Sequence, residues 1–144
     1  MPLKNYTTKV PADRSLQEIQ VSLVKHGATG VLMEYEKGTG RIASLKFKLD
    51  MNGTDVAFRL PIDWRKFQSV LVKDRVSRAN DEDYVYRVSW RCLRDWVLAQ
   101  MALYETQMVD LQQVFLPYAM ANDGRSTLYE RVLKGGLLLP SGSK

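Results

Sequence analysis

The chain has 144 residues, 45% hydrophobic and 26% charged, a composition that supports one globular domain with a real core. Its single cysteine excludes a disulfide framework and a multi-cysteine zinc site, and fits a reducing compartment. A formal charge of +5 and a pI near 9.4 permit an anionic partner without requiring one.

The opening stretch MPLKNYTTKVPADRS has no apolar leader and reads as extended, with prolines at Pro2 and Pro11. Ser15-Leu16-Gln17-Glu18 predicts a capping box at the start of a helix, with Leu16, Ile19, Leu23 and Val24 as its apolar stripe and Gly27 closing it. Alternation of period two follows. Val31, Met33 and Tyr35 alternate with polar neighbours up to the turn at Lys37-Gly38-Thr39-Gly40. Ala43, Leu45, Phe47 and Leu49 form a second run, Asn52-Gly53 the favoured two-residue hairpin turn, and Val56, Phe58 and Leu60 a third run stopped by Pro61. These predict an antiparallel three-stranded meander with one apolar face, covered by the first helix. Asp63 can cap a helix containing Trp64, Phe67, Val70 and Leu71, and residues 73–80 form a polar connection.

From Asp81 to Leu116 there is neither glycine nor proline, and Asp81, Glu82 and Asp83 complement the helix dipole at its start. The expectation is one helix over 81–117, a rod of about 50 Å, with Pro117 ending it. Its apolar arc has one edge along Val85, Val88, Cys92, Trp96, Ala99 and Leu103 and another along Leu93, Val97, Tyr104, Met108 and Phe115. Arg87, Arg91 and Arg94 lie opposite. Two apolar edges predict two neighbours, one of them a second copy meeting Trp96, Leu103, Tyr104, Met108 and Phe115. The alternative is that the helices near Asp63 and Ser126 fold back over both edges. Asn122-Asp123-Gly124 predicts a turn, 126–133 a short helix, and Leu137, Leu138 and Leu139 an apolar tail. The fold class is therefore α+β in a single domain over 1–144, with an αβββα unit at 14–72, a long helix at 81–117 and a short helix and tail at 126–144. No apolar run approaches the ~20 residues of a membrane span.

Chemistry is sparsely represented. His26, the only histidine, stands at the C-terminal end of the first helix, where a partial positive charge is favourable. Cys92 lies on the apolar arc and reads as a buried structural thiol. Three consecutive carboxylates at a helix start point in different directions, and Gly38-Thr39-Gly40 lacks the lysine and the following helix of a phosphate cradle. The expectation is a non-enzyme with no catalytic residue, metal or cofactor.

The basic residues carry more. With Leu45, Phe47 and Leu49 facing the core, Lys46 and Lys48 face outward on the middle strand and Arg59 on the next. Arg65, Lys66, Lys73, Arg75 and Arg78 follow. Lys46, Lys48, Arg59, Arg75 and Arg78 are thus the candidate contacts to a sugar-phosphate backbone, the alternative being a solvated face diluted by Asp50 and Asp55. Tyr35 and Trp64, the nearest aromatics, both fit a core.

The run Trp90-Arg91, Asp95-Trp96, Gln100 and Phe115-Leu116-Pro117-Tyr118, with Asn5-Tyr6-Thr7-Thr8, Val10, Glu18-Ile19, Leu23 and Gly27-Ala28 upstream, resembles an uncharacterised family of small phage and prophage proteins. The resemblance covers Asn5 to about Tyr129 and brings no catalytic residues. It implies a phage-encoded protein acting in the host bacterial cytoplasm, among replication and recombination functions. Three readings stay open: a nucleic-acid-binding accessory protein, an anti-defence protein that blocks a host component or sequesters a nucleotide signal, and a structural assembly subunit.

Overall fold

The computed structural model describes residues 3–135, 138 and 140–142. In chain order its elements are α1 (Ala12–Lys25), β1 (Gly30–Tyr35), β2 (Ile42–Met51), β3 (Thr54–Arg59), α2 (Trp64–Lys73), α3 (Glu82–Glu105), α4 (Leu111–Phe115), a 3-10 turn at Leu116–Tyr118, and α5 (Leu128–Gly135). The fold is α+β, with the three strands in the antiparallel order β1-β2-β3. Asn52 and Gly53 both take positive φ, 56° and 90°, the pairing that a type I′ turn demands. Alternation turns Leu45, Phe47, Leu49 and Phe58 to one buried face. Along the far side of β3 the chain returns at Ala119, and the Met120 amide donates to the Ala57 carbonyl at 2.8 Å.

The buried face is covered by two helices. α1 and α3 run parallel, since Glu18 meets Arg91 and Arg94 while His26 meets Glu105 further along both. Leu16, Ile19 and Leu23 join Trp90, Leu93, Val97 and Met101 in one cluster with the sheet. On another side of α3, α2 packs Trp64 and Leu71 against Tyr84, Val85 and Val88. Arg91 and Arg94, on the face expected to be polar and opposite, also meet α1 through ion pairs to Glu18 at the margin of that cluster.

Three expectations are corrected. First, α1 begins at Ala12 behind Pro11, so Ser15 sits a turn inside the helix. Its hydroxyl is buried without a partner, and Glu18 bonds guanidinium groups instead of closing a capping box. Proline suits the helix entrance because its missing N–H would be unsatisfied there anyway.

Second, the long helix stops at Glu105, giving 24 residues and a rod of about 36 Å. Gln107 takes φ 63°, its amide donates to the Tyr104 carbonyl at 2.9 Å, and the Met108 amide donates to Leu103 at 3.1 Å. That pair of bonds is a Schellman termination with glutamine in glycine's usual place. Asp110 and Gln113 then form a reciprocal capping box that starts α4.

Third, the break folds Phe115 back into the subunit. Its ring is fully buried, 5.1 Å from Phe47 and 5.7 Å from Trp96, and Trp96 also meets Tyr118 at 5.7 Å. Phe115 and Trp96 thus belong to the core and its margin, and only Leu103, Tyr104 and Met108 of the expected helix interface remain exposed. Ser89, within the apolar arc, satisfies itself by donating to the Tyr86 carbonyl at 2.9 Å. The short helix lies at Leu128–Gly135 behind a Thr127–Glu130 capping box, and α5 packs mainly on the 3-10 turn. Leu138 is exposed, while Leu137 and Leu139 lie outside the described residues.

Candidate nucleic-acid interface

The outward sheet face carries less free charge than its sequence suggests. Lys46 pairs with Glu34 at 2.9 Å, and Arg59 pairs with Glu130 at 3.0 Å while also donating to the Arg125 carbonyl. Lysine and hydroxyl hydrogen bonds from Lys46 and Ser44 hold the Glu34 carboxyl below its ordinary range. Lys48 is exposed and has no carboxylate within ion-pair reach among the described residues. With Asp50 and Asp55 on the same strands, this face is close to neutral.

The charge concentrates elsewhere. Residues 64–80 hold Arg65, Lys66, Lys73, Arg75 and Arg78 against Asp74 alone, which is four of the chain's five net positive charges in 17 residues. They form α2 and the loop leading to α3. All five cations are exposed. Lys66, Lys73 and Arg75 have no ion-pair partner among the described residues, whereas Arg78 pairs with Asp81 at 2.5 Å and lies 5.0 Å over the Tyr84 ring. Arg87 approaches the same ring at 5.7 Å. Arg65 stacks on Trp64 at 4.2 Å and bonds Glu36, whose carboxyl falls to about 2 through the Arg65 and Thr39 hydrogen bonds.

Arg75 has a backbone feature of its own. It takes φ 57° at the end of α2, its amide donates to Val72 and the next amide donates to Leu71, both at 3.1 Å. This is again a Schellman end, with arginine where glycine is cheapest. The left-handed turn projects the residue from the helix end into the exposed loop.

Of the five residues expected to contact phosphate, the structure therefore puts Arg75 and Arg78 in the charged segment and Lys46 and Arg59 in ion pairs. Lys66 and Lys73 belong with the former. Counting charge by segment would have found them. Tyr35 is also corrected: it is 61% exposed beyond a register shift at Glu34, not in the core, while Trp64 is 2% exposed and unavailable for base stacking.

The remaining chemical residues have structural partners. His26 Nδ1 donates to the Ser22 carbonyl at 2.7 Å and Nε2 lies 2.6 Å from Glu105, tying the ends of α1 and α3 together. Burial pushes the Cys92 thiol up, and its S–H donates to the Lys4 carbonyl at 3.0 Å. Asp81 caps α3 by accepting from the Tyr84 amide, and Glu82 and Asp83 both bond Arg41. Among the described residues no three His, Cys, Asp or Glu side chains are grouped to hold a metal, and no helix is long and apolar enough to cross a membrane. An open cleft of about 450 Å³ between α1 and α3 is bordered by His26 and Glu105, and another of about 520 Å³ by Arg41, Asp83 and Tyr86.

Comparison with protein-family models, with curated proteins and with solved structures finds no match to this chain.

Proposed function

We propose that the chain is a non-enzymatic nucleic-acid-binding accessory protein of phage DNA replication or recombination, acting in the host bacterial cytoplasm. The observation that carries this reading is the gathering of four of five net charges onto α2 and its loop, with Lys66, Lys73 and Arg75 unpaired among the described residues. A charged, unstrained residue could occupy many positions on that loop. Arginine in a left-handed position gives up stability that glycine would keep, and contact with a ligand is a reason to hold it there. The phage and recombination setting rests on the resemblance of the Asn5–Thr8 and Trp90–Tyr118 segments to the phage family.

The test is fluorescence anisotropy with single-stranded and duplex DNA at two salt concentrations. Lys73→Ala with Arg75→Gly should weaken binding and lower the slope of log K against log salt by about 0.7 per lost contact on single strands and about 0.9 on duplex. Thermal stability should stay level or rise, because glycine relieves the left-handed position. Lys46→Ala, which removes a charge already paired, should change the slope little. No binding by the wild-type chain at low salt, or an unchanged slope in the double variant, overturns the reading.

A further inference from the structure

The sheet has one covered edge and one open one. β3 is flanked by the Ala119–Met120 segment, whereas β1 has β2 on one side and no strand on the other among the described residues, and none of its six residues is buried. Such an edge presents unpaired N–H and C=O groups to any complementary strand. Proteins usually blunt it with proline, a lysine on the edge strand or a covering element. β1, Gly-Val-Leu-Met-Glu-Tyr, has no proline or lysine, and Leu32 is 56% exposed in its middle.

We infer that β1 is a homodimer seam, pairing antiparallel with β1 of a second copy about a two-fold axis at Leu32. The inference stands apart from the nucleic-acid reading and places self-association at the sheet edge instead of the long helix. In that register Leu32 meets its own copy on the outer face, Val31 meets Met33 on the inner face, and Gly30 stands opposite Glu34. The first two pairings are complementary. The two exposed leucines cover each other, and the half-buried Val31 and Met33 extend the core across the seam.

Lys48 decides for a second copy over other occupants. It lies beside Gly30 in the β1–β2 ladder, and its Cε is 3.0 Å from where a Cβ on Gly30 would stand. The lysine is laid across the glycine toward the open edge, and it has no ion-pair partner among the described residues. The next strand over that glycine would bring Glu34 of the second copy, two strand spacings or about 10 Å from the Lys48 backbone. The Glu34 carboxylate already accepts from Lys46 and Ser44 of its own chain through one oxygen, and the other oxygen is left for a further cation. A lysine and a glutamate reaching toward each other span that distance. By symmetry the seam carries this pair twice, and it explains a glycine inside a strand, where a side chain would block the lysine's path.

The test uses charge reversal and mixing. By light scattering, the wild-type chain should run at twice 16.5 kDa, and Lys48→Glu and Glu34→Lys should each shift toward the single-chain mass, because each homodimer then carries two like-charge contacts. Mixing the two variants should restore a heterodimer, seen by native mass spectrometry, in which both contacts are again opposite in sign. Leu32→Lys should dissociate the dimer as well, with an unchanged far-UV spectrum, since the side chain is exposed. A wild-type chain at the single-chain mass at every concentration overturns the inference. So does a mixture that forms no heterodimer, or a dimer that survives Leu32→Lys and is lost with Met108→Asp.

Discussion

The Asn5 amide donates a 2.9 Å hydrogen bond to the Asp95 carboxylate, joining the leading segment to the middle of α3. Lys4 adds its ammonium to the same carboxylate at 3.6 Å, and its carbonyl accepts from Cys92. Burial pushes the Asp95 carboxyl up, but Asn5, Arg94 and Lys4 outweigh it and hold it below its ordinary value. The leading segment and the middle of α3 thus meet in space. Asn5→Ala should cost about 1–2 kcal/mol, since one hydrogen bond to a partly solvated charge is lost and alanine tolerates the left-handed φ of 63° at this position less well than asparagine. It should also speed labelling of Cys92 by a thiol reagent, because the covering segment is released. An unchanged labelling rate would show that the segment is held by other contacts.

Acid should destabilise the fold in a defined window. Glu36 is lowered from 4.5 to about 2, foremost by the Arg65 hydrogen bond. Burial pushes the Glu18 carboxyl up, but Arg94, Arg91 and Arg14 outweigh it and leave it below its ordinary value. A depressed carboxylate contributes stability that is complete above the unfolded value of 4.5 and is lost as pH falls through the folded one. The urea midpoint should therefore fall between about pH 5 and pH 2. Glu36→Gln should flatten that fall while lowering the midpoint at neutral pH. A midpoint independent of pH over that window would mean the pairs are solvent-screened.

How far the sequence was legible depended on whether a local signal had a competitor. Asn52-Gly53 had none, and the hairpin formed as expected with Met51 opposite Thr54. The pattern Ser/Thr-x-x-Glu occurs twice and is a cap only once. Thr127 and Glu130 bond reciprocally, whereas at Ser15 the earlier entry through Pro11 had already started the helix. The break after Glu105 was written in Asp110-Leu111-Gln112-Gln113, but the absence of glycine and proline between Asp81 and Leu116 masked it. The candidate basic surface was half legible: Arg75 and Arg78 were visible as a loop, but only the fold showed Lys46 and Arg59 neutralised by Glu34 and Glu130. Pairing between residues far apart in the chain leaves no local trace.

Gln107→Gly tests the break directly. Glutamine occupies the left-handed position that ends α3, with φ 63°. A side chain there costs about 1 kcal/mol relative to glycine, part of which is returned by the greater freedom of glycine in the unfolded chain. The variant should be more stable by roughly 0.5–1 kcal/mol, seen as a melting temperature about 2–4 °C higher for a chain of this size. If helix instead continued through 107, the same substitution would destabilise by a similar amount, so the sign alone decides.

Phe115 and Met108 separate the core from the surface within one short segment. Phe115 is fully buried between Phe47 and Trp96, while Met108 is 71% exposed seven residues earlier. Phe115→Ala should cost about 3–5 kcal/mol, the range for removing a buried aromatic ring and leaving a cavity. That is a large share of the ~5–15 kcal/mol stability of a typical domain. Met108→Asp removes an exposed side chain and keeps the backbone bond to Leu103, so its cost should stay within about 1 kcal/mol, from the negative charge added near the C-terminus of α3. Urea unfolding at two protein concentrations checks both. The Phe115→Ala loss should be the same at each, because the ring is held by its own chain. A loss that shrinks as protein concentration rises would place the ring between subunits, and the packing of Phe115 on Phe47 would have to open in the assembly.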